Sequence, residues 1–373
     1  MTRALADEMT HDHAGRLARA KAECSAAGID ALIITPSADL RYLVGYEAPQ
    51  LERLTALVAR AADGPVLVVP ELERPRAAST PAGGLVDIVG WRDGEDPYAL
   101  VRGLLADGRT YAVSDRMWAS HLLAFREALP GSGFLRASAV LSKLRVRKDA
   151  SEIALLSKAA LSADESFRRI TEEGLEGRTE EDVARSLQRH LTETGCESAA
   201  FWIVGSGPNG ASPHHEPGDR RIGASDTVVL DFGGRAGGYC SDLTRTVSVG
   251  EPPGEAKEVH SIVQEAQEAA FRAAGPGVPA EEVDRAARRV IDGAGFGNAF
   301  FHRTGHGIGL DEHEDPYVVE GNGQPLEPGM CFSIEPGIYL AGRFGIRIED
   351  IVTITGDGVA RLNHAPRELT VVS

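Results

Sequence analysis

Short apolar runs alternate with helix-favouring stretches over the first 140 residues or so. An alanine-rich stretch runs from about Arg16 to Gly28 and ends at a glycine suited to a left-handed cap, which predicts a helix. Buried strands are predicted at the apolar runs IDALIIT (29–35), ALVAR (56–60), GPVLVVP (64–70) and TYAVSD (110–115). This alternation predicts a small α/β domain, which ends where the composition changes in the basic stretch 142–148.

Two helices followed by a pair of strands occur twice in the rest of the chain. The predicted elements are helices at 151–173 and 179–194 with a hairpin at 225–250, then helices at 255–274 and 281–292 with strands at 328–340 and 344–356. Thr179 and Asp182 have the spacing of a capping box, and Gly195 ends that helix. Such a duplication would place two hairpins face to face with a site between them.

Charge and cysteine content exclude several classes of protein. The 373 residues carry a formal net charge of −16, which repels phosphate backbones and anionic lipid, so we expect neither a nucleic-acid nor a membrane partner. The four cysteines lie far apart without CxxC spacing, which favours reduced thiols. The N-terminal segment MTRALADEMTHDHAGR lacks the apolar stretch of a secretion signal, so we expect a cytoplasmic protein.

Four acidic residues interrupt runs that are otherwise typical of buried strands. Asp231 ends the apolar run in DTVVLDFGG, Asp242 lies within the returning strand, Glu335 interrupts MCFSIEPGIYL, and Glu349 interrupts GIRIEDIVTI. A buried, unpaired carboxylate costs several kcal/mol or becomes protonated. Something positive must therefore offset these four groups.

Divalent cations offset such a cluster better than side chains do. Only Arg245 and Arg347 lie in the same strands, whereas two divalent cations balance four carboxylates and would take a bridging hydroxide as a further ligand. His306, between two glycines in FHRTGHGIGLDEH, adds an accessible nitrogen donor. Four oxygen donors and one imidazole favour manganese, with cobalt or zinc as alternatives, and disfavour calcium.

In these acids and this histidine, the sequence resembles the pita-bread metallopeptidases, in the branch of proline dipeptidase (prolidase) and aminopeptidase P. The five ligands of that family's dinuclear centre match Asp231, Asp242, His306, Glu335 and Glu349 in order. The resemblance implies that Asp231 binds one metal, His306 and Glu335 the other, and Asp242 and Glu349 both. It also implies an α/β (α+β) fold, with a creatinase-like α/β domain at 1–145 and a pita-bread catalytic domain, built from a pseudo-two-fold repeat, at 146–373.

Further residues match positions near the metals in this branch. His214 matches a histidine that contacts substrate, although its neighbour His215 is an alternative. His302, four residues before His306, and His313, seven after it, match two further histidines, and the resemblance implies that all three act in catalysis with Glu335. Tyr339 matches a position beside the metals or else a packing residue. Arg347 is two residues before Glu349, so it should share a strand face with it and form an ion pair with a ligating acid.

The resemblance implies hydrolysis of the Xaa–Pro imide bond in dipeptides or short peptides by a metal-bridged hydroxide. Glu335 would pass the proton of the nucleophile to the leaving nitrogen, and His313 or His214 would stabilise the charge that develops on the carbonyl oxygen. The family expectation is a homodimer.

Three alternatives to the dipeptidase are open. One is an Xaa–Pro aminopeptidase, because Tyr317 stands where some proline dipeptidases have an arginine for the substrate carboxylate. In a dipeptidase, Arg41 or another residue of the N-terminal domain, of the same or a second subunit, would have to supply that charge instead. The other two are a non-peptidase pita-bread enzyme, such as a carbon–sulfur lyase, and a binding module without catalysis.

Overall fold

The computed structural model describes residues 11–61 and 63–373 of the chain. These residues form two compact units, one that ends at Arg145 and one that begins at Val146. The expectation about a secretion signal concerns mainly residues 1–10, which lie outside the described residues. In the described part of the chain, no helix is both long enough and apolar enough to cross a bilayer.

The first unit is a six-stranded mixed sheet flanked by helices. Its sheet has the strand order β4-β3-β2-β1-β5-β6. The strands are β1 (Ala31–Ile34), β2 (Ala56–Arg60), β3 (Val66–Pro70), β4 (Asp87–Trp91), β5 (Thr110–Val113) and β6 (Gly133–Arg136). The helices are α1 (His13–Ala26), α2 (Ala38–Val44), α3 (Arg74–Ala78), α4 (Ala82–Leu85), α5 (Pro97–Leu104), α6 (Ala119–Ala128) and α7 (Ser138–Arg145).

The four strands predicted for this unit are all present, and they occupy the centre of its sheet. The apolar runs of β1 and β3 are buried along their whole length. The two strands that the sequence did not reveal, β4 and β6, lie at the sheet edges and are largely exposed. Because an edge strand needs no continuous apolar run, its sequence resembles a loop.

The second unit consists of four long helices and twelve short strands. The helices are α8 (Ala150–Glu173), α9 (Glu180–Thr194), α10 (Gly254–Ala273) and α11 (Ala280–Gly293). The strands of the first half are β7 (Ser198–Ser206), β8 (Thr227–Ala236), β9 (Tyr239–Cys240) and β10 (Leu243–Val249). Those of the second half are β11 (Gly305–Gly307), β12 (Glu314–Val318), β13 (Cys331–Ile334), β14 (Gly337–Leu340), β15 (Phe344–Arg347), β16 (Asp350–Ile354), β17 (Val359–Arg361) and β18 (Thr370–Val372).

The helix boundaries of this unit follow the capping signals in the sequence. Thr179 accepts a hydrogen bond from the Asp182 amide, and the Asp182 side chain accepts one from the Thr179 amide, as the spacing predicts. Asp149 and Glu152 form the same reciprocal pair at the start of α8. These two caps fix where the first helix pair begins.

Each half of the second unit has its own hydrophobic core, which confirms the duplicated element order. In the first half, α8 and α9 pack on β8 and β10 through Phe167, Leu187, Leu230 and Val247, among others. In the second half, α10 and α11 pack on β13 and β16 through residues such as Val263, Val283, Phe332 and Val352. Backbone bonds join the halves, because the Glu349 amide donates to the Thr244 carbonyl at 3.0 Å.

Three details of the strands differ from the sequence prediction. The long strands predicted at 328–340 and 344–356 are each broken in two, at Glu335–Pro336 and at 348–349. Pro336 has no N–H to continue the ladder, so the chain leaves the sheet there. Asp231 lies in the middle of β8 rather than at its end, and Asp242 directly precedes β10 rather than lying inside it.

Gly305 allows β11 to approach its neighbour closely. A Cβ atom at this position would lie 1.9 Å from the backbone oxygen of Ser333. We therefore expect Gly305→Ala to lower the free energy of unfolding by about 1–3 kcal/mol, as over-packing does, because β11 must move away from β13. Thermal or denaturant unfolding measures the change.

The matched control is Gly323→Ala, since a Cβ atom at Gly323 would meet nothing within 4 Å. This variant should unfold like the unsubstituted protein. Equal stability of the two variants would show that the close approach at Gly305 is unimportant.

Candidate metal centre

The four acids and the histidine singled out by the sequence are brought together between the two halves of the second unit. Ligand atoms of Asp242, His306 and Glu349 all lie within 4.8 Å of one another. His306 Nε2 is 3.6 Å from Asp242 Oδ2 and 3.4 Å from Glu335 Oε1. Asp231 is also buried, in β8, directly opposite Thr244 of β10, whose hydroxyl donates a hydrogen bond to Glu349.

Several carboxylate oxygens of this cluster are buried without a hydrogen-bond partner among the described residues. They are Oδ1 of Asp231, Oδ1 of Asp242 and Oε1 of Glu349. An unsatisfied buried oxygen costs about 1–3 kcal/mol, and more when it is charged. Oxygen donors that converge on a histidine nitrogen form a set that fits divalent cations.

Burial and mutual repulsion raise the pKa values of three of the four acids, Asp242, Glu335 and Glu349. Burial, followed by the charges on Glu349 and Asp231, raises the pKa of Asp242 well above its ordinary value. Burial and the charges on Glu335 and Asp231 do the same to the pKa of Glu349. Burial raises the pKa of Glu335 to about 7.

His306 is neutral and presents one nitrogen to the carboxylates. Burial lowers its pKa to about 3, so the ring carries no charge at neutral pH. Its Nδ1 lies 3.1 Å from the Gly307 carbonyl and donates to it, which leaves the lone pair on Nε2 directed at Asp242 and Glu335. This is the tautomer that a metal-ligating histidine requires.

Arg347 forms an ion pair with one of the acids matched to the metal ligands, but with Asp231 and not with Glu349. Its Nη2 donates to Asp231 Oδ2 at 2.5 Å, and the structure places no such contact with Glu349. The reason is that β15 ends at Arg347 and the chain turns before Glu349, so the two side chains do not share a strand face. Glu349 instead accepts a hydrogen bond from Thr244 Oγ1 at 2.7 Å.

Tyr339 connects Arg347 to His302 through hydrogen bonds. Arg347 Nη1 donates to the Tyr339 hydroxyl oxygen at 2.8 Å, and the hydroxyl lies 2.9 Å from His302 Nε2. Burial lowers the pKa of His302 to about 4, so the ring is neutral and its Nδ1 donates to the Arg303 carbonyl at 2.7 Å. Its Nε2 therefore accepts from Tyr339, and Tyr339 is more than a packing residue.

Two residues of α11 that sequence reasoning missed fix the segment that carries His302. Asp284 is fully buried and accepts a hydrogen bond from the Thr304 amide at 3.0 Å. Arg288 forms an ion pair with Asp284 and donates to the carbonyls of Phe300 and His302. In the sequence they form only an ordinary acid–arginine pair four residues apart on a helix.

The structure distinguishes the neighbouring histidines 214 and 215. His215 Nε2 lies 2.7 Å from the carboxylate of Glu180, a fully buried residue that also accepts from Ser206. His214 is exposed and borders a cavity of about 500 Å³ that is also lined by Trp202. His215 thus anchors the loop, and His214 is the one available to a ligand. The anchoring role of Glu180 was not evident in the sequence, because acids are common at helix starts.

His313 lies at the open side of the cluster. Its ring is exposed and makes an edge contact with the His306 ring, with the centroids 4.1 Å apart. A molecule that approaches His306 from solvent therefore meets His313.

Because the free site retains protons, cation binding should release them. Calorimetric titration of the metal-free protein with Mn²⁺, in buffers of different ionisation enthalpy, counts these protons. We expect more protons to be released at pH 6 than at pH 8, because Glu335 ionises near pH 7 in the free site and is already deprotonated at pH 8. Binding at pH 6 without proton release would contradict the raised pKa values.

Comparison with known proteins places this arrangement in a family. Residues 154–356 match the model of metallopeptidase family M24, and residues 16–147 match the Creatinase/Prolidase N-terminal domain. A protein of Mycobacterium bovis named probable dipeptidase PepE is 48% identical over 363 residues, which cover 96% of each chain. The Xaa-Pro dipeptidase of Lactobacillus helveticus is 36% identical, over 92% of this chain and 95% of the relative.

Solved structures agree with these matches over nearly the whole chain. The dipeptidase PepE from Mycobacterium ulcerans superposes with a TM-score of 0.92 at 47% identity, over 96% of this chain and 98% of the other. Prolidase from Thermococcus sibiricus gives a TM-score of 0.93 at 38% identity, over 97% and 100%. The predicted α/β fold, with a creatinase-like N-terminal domain and a pita-bread domain, is confirmed. The chain belongs to metallopeptidase family M24, in its prolidase branch, and is a peptidase of a family that uses divalent metal ions.

Proposed function

We propose that this chain is an Xaa–Pro dipeptidase, which hydrolyses the imide bond before proline in dipeptides and uses two divalent cations. Residues 146–373 would carry the reaction, and residues 1–145 would form the N-terminal domain. The observation that carries the proposal is the buried cluster in which Asp242 and Glu335 approach Nε2 of His306 and Glu349 lies beside Asp242 and His306, with unpartnered buried oxygens on Asp231, Asp242 and Glu349. The names of relatives that match over nearly the full chain support the choice of substrate.

The ligand assignment that we propose follows the resemblance to the family. Asp231 would bind one cation, His306 and Glu335 the other, and Asp242 and Glu349 both. Manganese is the proposed metal because the donors are mainly hard oxygens, and cobalt or zinc would also suit a set with one imidazole. When bound, such cations lower the pKa of a water molecule and polarise the substrate carbonyl.

Proton transfer is the task that we assign to Glu335. Its Oε1 lies 3.4 Å from His306 Nε2 and accepts a hydrogen bond from Ser333 Oγ at 3.1 Å, so the carboxylate is held at the centre of the site. From there it can accept a proton from the attacking water and deliver it to the proline nitrogen. That nitrogen has no proton of its own in the substrate and must gain one to leave.

Histidines on the open side of the site would bind the reacting carbonyl. His313 contacts the His306 ring, and the exposed His214 directly follows Pro213, whose carbonyl accepts a hydrogen bond from Arg347. Either imidazole can donate to the oxygen on which negative charge develops.

His302 would act through Tyr339 and Arg347. Because its Nε2 accepts from Tyr339 and Arg347 holds Asp231, this connection orients a proposed metal ligand.

The alternative is an Xaa–Pro aminopeptidase that acts on longer peptides. The X-Pro aminopeptidase of Thermotoga maritima also matches this chain, with 32% identity and a TM-score of 0.81. We prefer the dipeptidase because relatives with higher identity, of 36–48%, bear dipeptidase names. The homodimer and the cytoplasmic location stay predictions from the sequence.

Substrate length tests the proposal. We expect the Mn²⁺-loaded protein to cleave Ala-Pro much faster than Ala-Pro-Ala, and to cleave Ala-Ala poorly. Chromatography of the products, with initial rates for each peptide, measures this preference. Faster cleavage of the tripeptide would support the aminopeptidase instead, and no cleavage of either proline peptide would refute both.

Asp242→Asn tests the proposed role of the buried acids. Loss of a residue that orients a ligand already costs roughly 10–100-fold, so loss of a ligand should lower kcat by more than about 100-fold. The metal-free variant should melt no lower than the metal-free unsubstituted protein, because the amide cannot ionise and so removes the cost of burying a carboxyl group at this position. Asp357→Asn, on an exposed loop, is the matched control and should keep full activity. Full activity of Asp242→Asn would contradict its role.

A further inference from the structure

Arg303 is a half-buried arginine whose charge is not neutralised within the protein. Among residues 11–61 and 63–373, no carboxylate lies within ion-pair distance of its guanidinium group. It directly follows His302, and the Thr304 amide after it donates to the Val318 carbonyl at 3.1 Å. The backbone around Arg303 is therefore fixed beside β12.

The guanidinium group of Arg303 has a defined position. It lies over the ring of Tyr317, with its central carbon 4.5 Å from the ring centroid. This cation–π contact holds the group at the end of β12. β12, which carries Tyr317, pairs with β11, which carries His306, so the guanidinium lies on the strand next to a proposed metal ligand.

The other cations of this region are already engaged. Arg347 is almost fully buried and donates to Asp231, Tyr339, Thr244 and the Pro213 carbonyl. Arg288 binds Asp284, Arg235 binds Glu312, and Lys148 binds Glu314. Arg41, considered above as a source of charge, forms an ion pair with Glu47 in the first unit.

A dipeptide that enters this site brings a negatively charged C-terminal carboxylate. Its C-terminal carboxylate lies one residue beyond the scissile bond and approaches a protein whose net charge is −16. The position at which some proline dipeptidases have an arginine for this group is Tyr317, and Arg303 lies against that residue. An unpaired, oriented guanidinium is suited to bind a carboxylate through two parallel hydrogen bonds.

We propose that Arg303, stacked on Tyr317, binds the C-terminal carboxylate of the substrate and thereby selects dipeptides over longer peptides. The inference rests on the proposed function and deepens it, since it names the residue that would set substrate length. A tripeptide has an uncharged amide where the dipeptide has this carboxylate, so it would leave the guanidinium without a partner. Arg303 would be a specificity-determining residue rather than one that takes part in bond cleavage.

The test compares a free acid with its amide. Initial rates are measured for Ala-Pro and Ala-Pro-NH₂ with the Mn²⁺-loaded protein and with Arg303→Met, whose unbranched stem still covers Tyr317. We expect the unsubstituted protein to prefer the acid, and we expect Arg303→Met to lose roughly 10- to 100-fold in kcat/KM for the acid, mainly through KM, but little for the amide. Arg303→Lys keeps the positive charge but lacks the planar guanidinium group. Its ratio of kcat/KM for the acid to kcat/KM for the amide should lie between those of the unsubstituted protein and Arg303→Met.

Other variants and a binding measurement separate the explanations. Tyr317→Phe keeps the aromatic face and should preserve the preference, whereas Tyr317→Leu should weaken it. Binding of an uncleavable Ala-Pro analogue, with a methylene in place of the scissile carbonyl, is measured by calorimetry as the acid and as the amide. This readout does not depend on turnover.

Each outcome decides a different claim. If Arg303→Met lowers kcat/KM equally for the acid and the amide, or if the unsubstituted protein cleaves both equally well, the role of Arg303 is refuted while the proposed function stands. If neither peptide is cleaved, the proposed function has failed, and binding alone decides about Arg303. Tighter binding of the acid analogue that is lost in Arg303→Met would support its role, and equal binding of acid and amide would refute it.

Discussion

The repulsion among four carboxylates in a buried space is the constraint on which the second unit depends. Asp242 and Glu349 are buried together with His306, and Asp231 and Glu335 lie beside them. One of these charges has a partner within the protein, because Arg347 pairs with Asp231. The others need either protons or cations, and the oxygens without partners at Asp242 and Glu349 favour cations. The strand breaks at Glu335–Pro336 and at 348–349 leave both acids outside the regular ladders, between β13 and β14 and between β15 and β16.

Much of this arrangement could be predicted from the sequence, because an acid inside an apolar strand is conspicuous. The helix pairs, the Thr179–Asp182 cap and the five residues of the cluster were evident from local patterns, and the two glycines around His306 indicated the close approach that Gly305 makes to Ser333. The local sequence pattern could not show which residues contact one another through ion pairs and hydrogen bonds. The pairing of Arg347 with Asp231, and the support of the His302 segment by Asp284 and Arg288, join residues far apart in sequence. Nothing in the sequence around Asp284 and Arg288 distinguishes them from an ordinary ion pair on a helix surface.

The same limit applies to substrate recognition. Tyr317 was visible as a departure from the pattern of some proline dipeptidases, whereas a compensating arginine could be recognised only once β11 and β12 were paired and Arg303 lay over that ring. The edge strands β4 and β6 escaped prediction for a related reason, since their position in the sheet and not their own composition makes them strands. Features determined by one continuous stretch of sequence were thus predictable, whereas features that require contact between two separate stretches were not.

The most direct measurement of the central claim is a crystal structure of the Mn²⁺-loaded protein with anomalous scattering recorded at the manganese edge. The account predicts two anomalous peaks, about 3.5–4 Å apart, surrounded by the side chains of Asp231, Asp242, His306, Glu335 and Glu349. Absence of both peaks, with the carboxyl groups turned apart or satisfied by guanidinium groups and water alone, would contradict it.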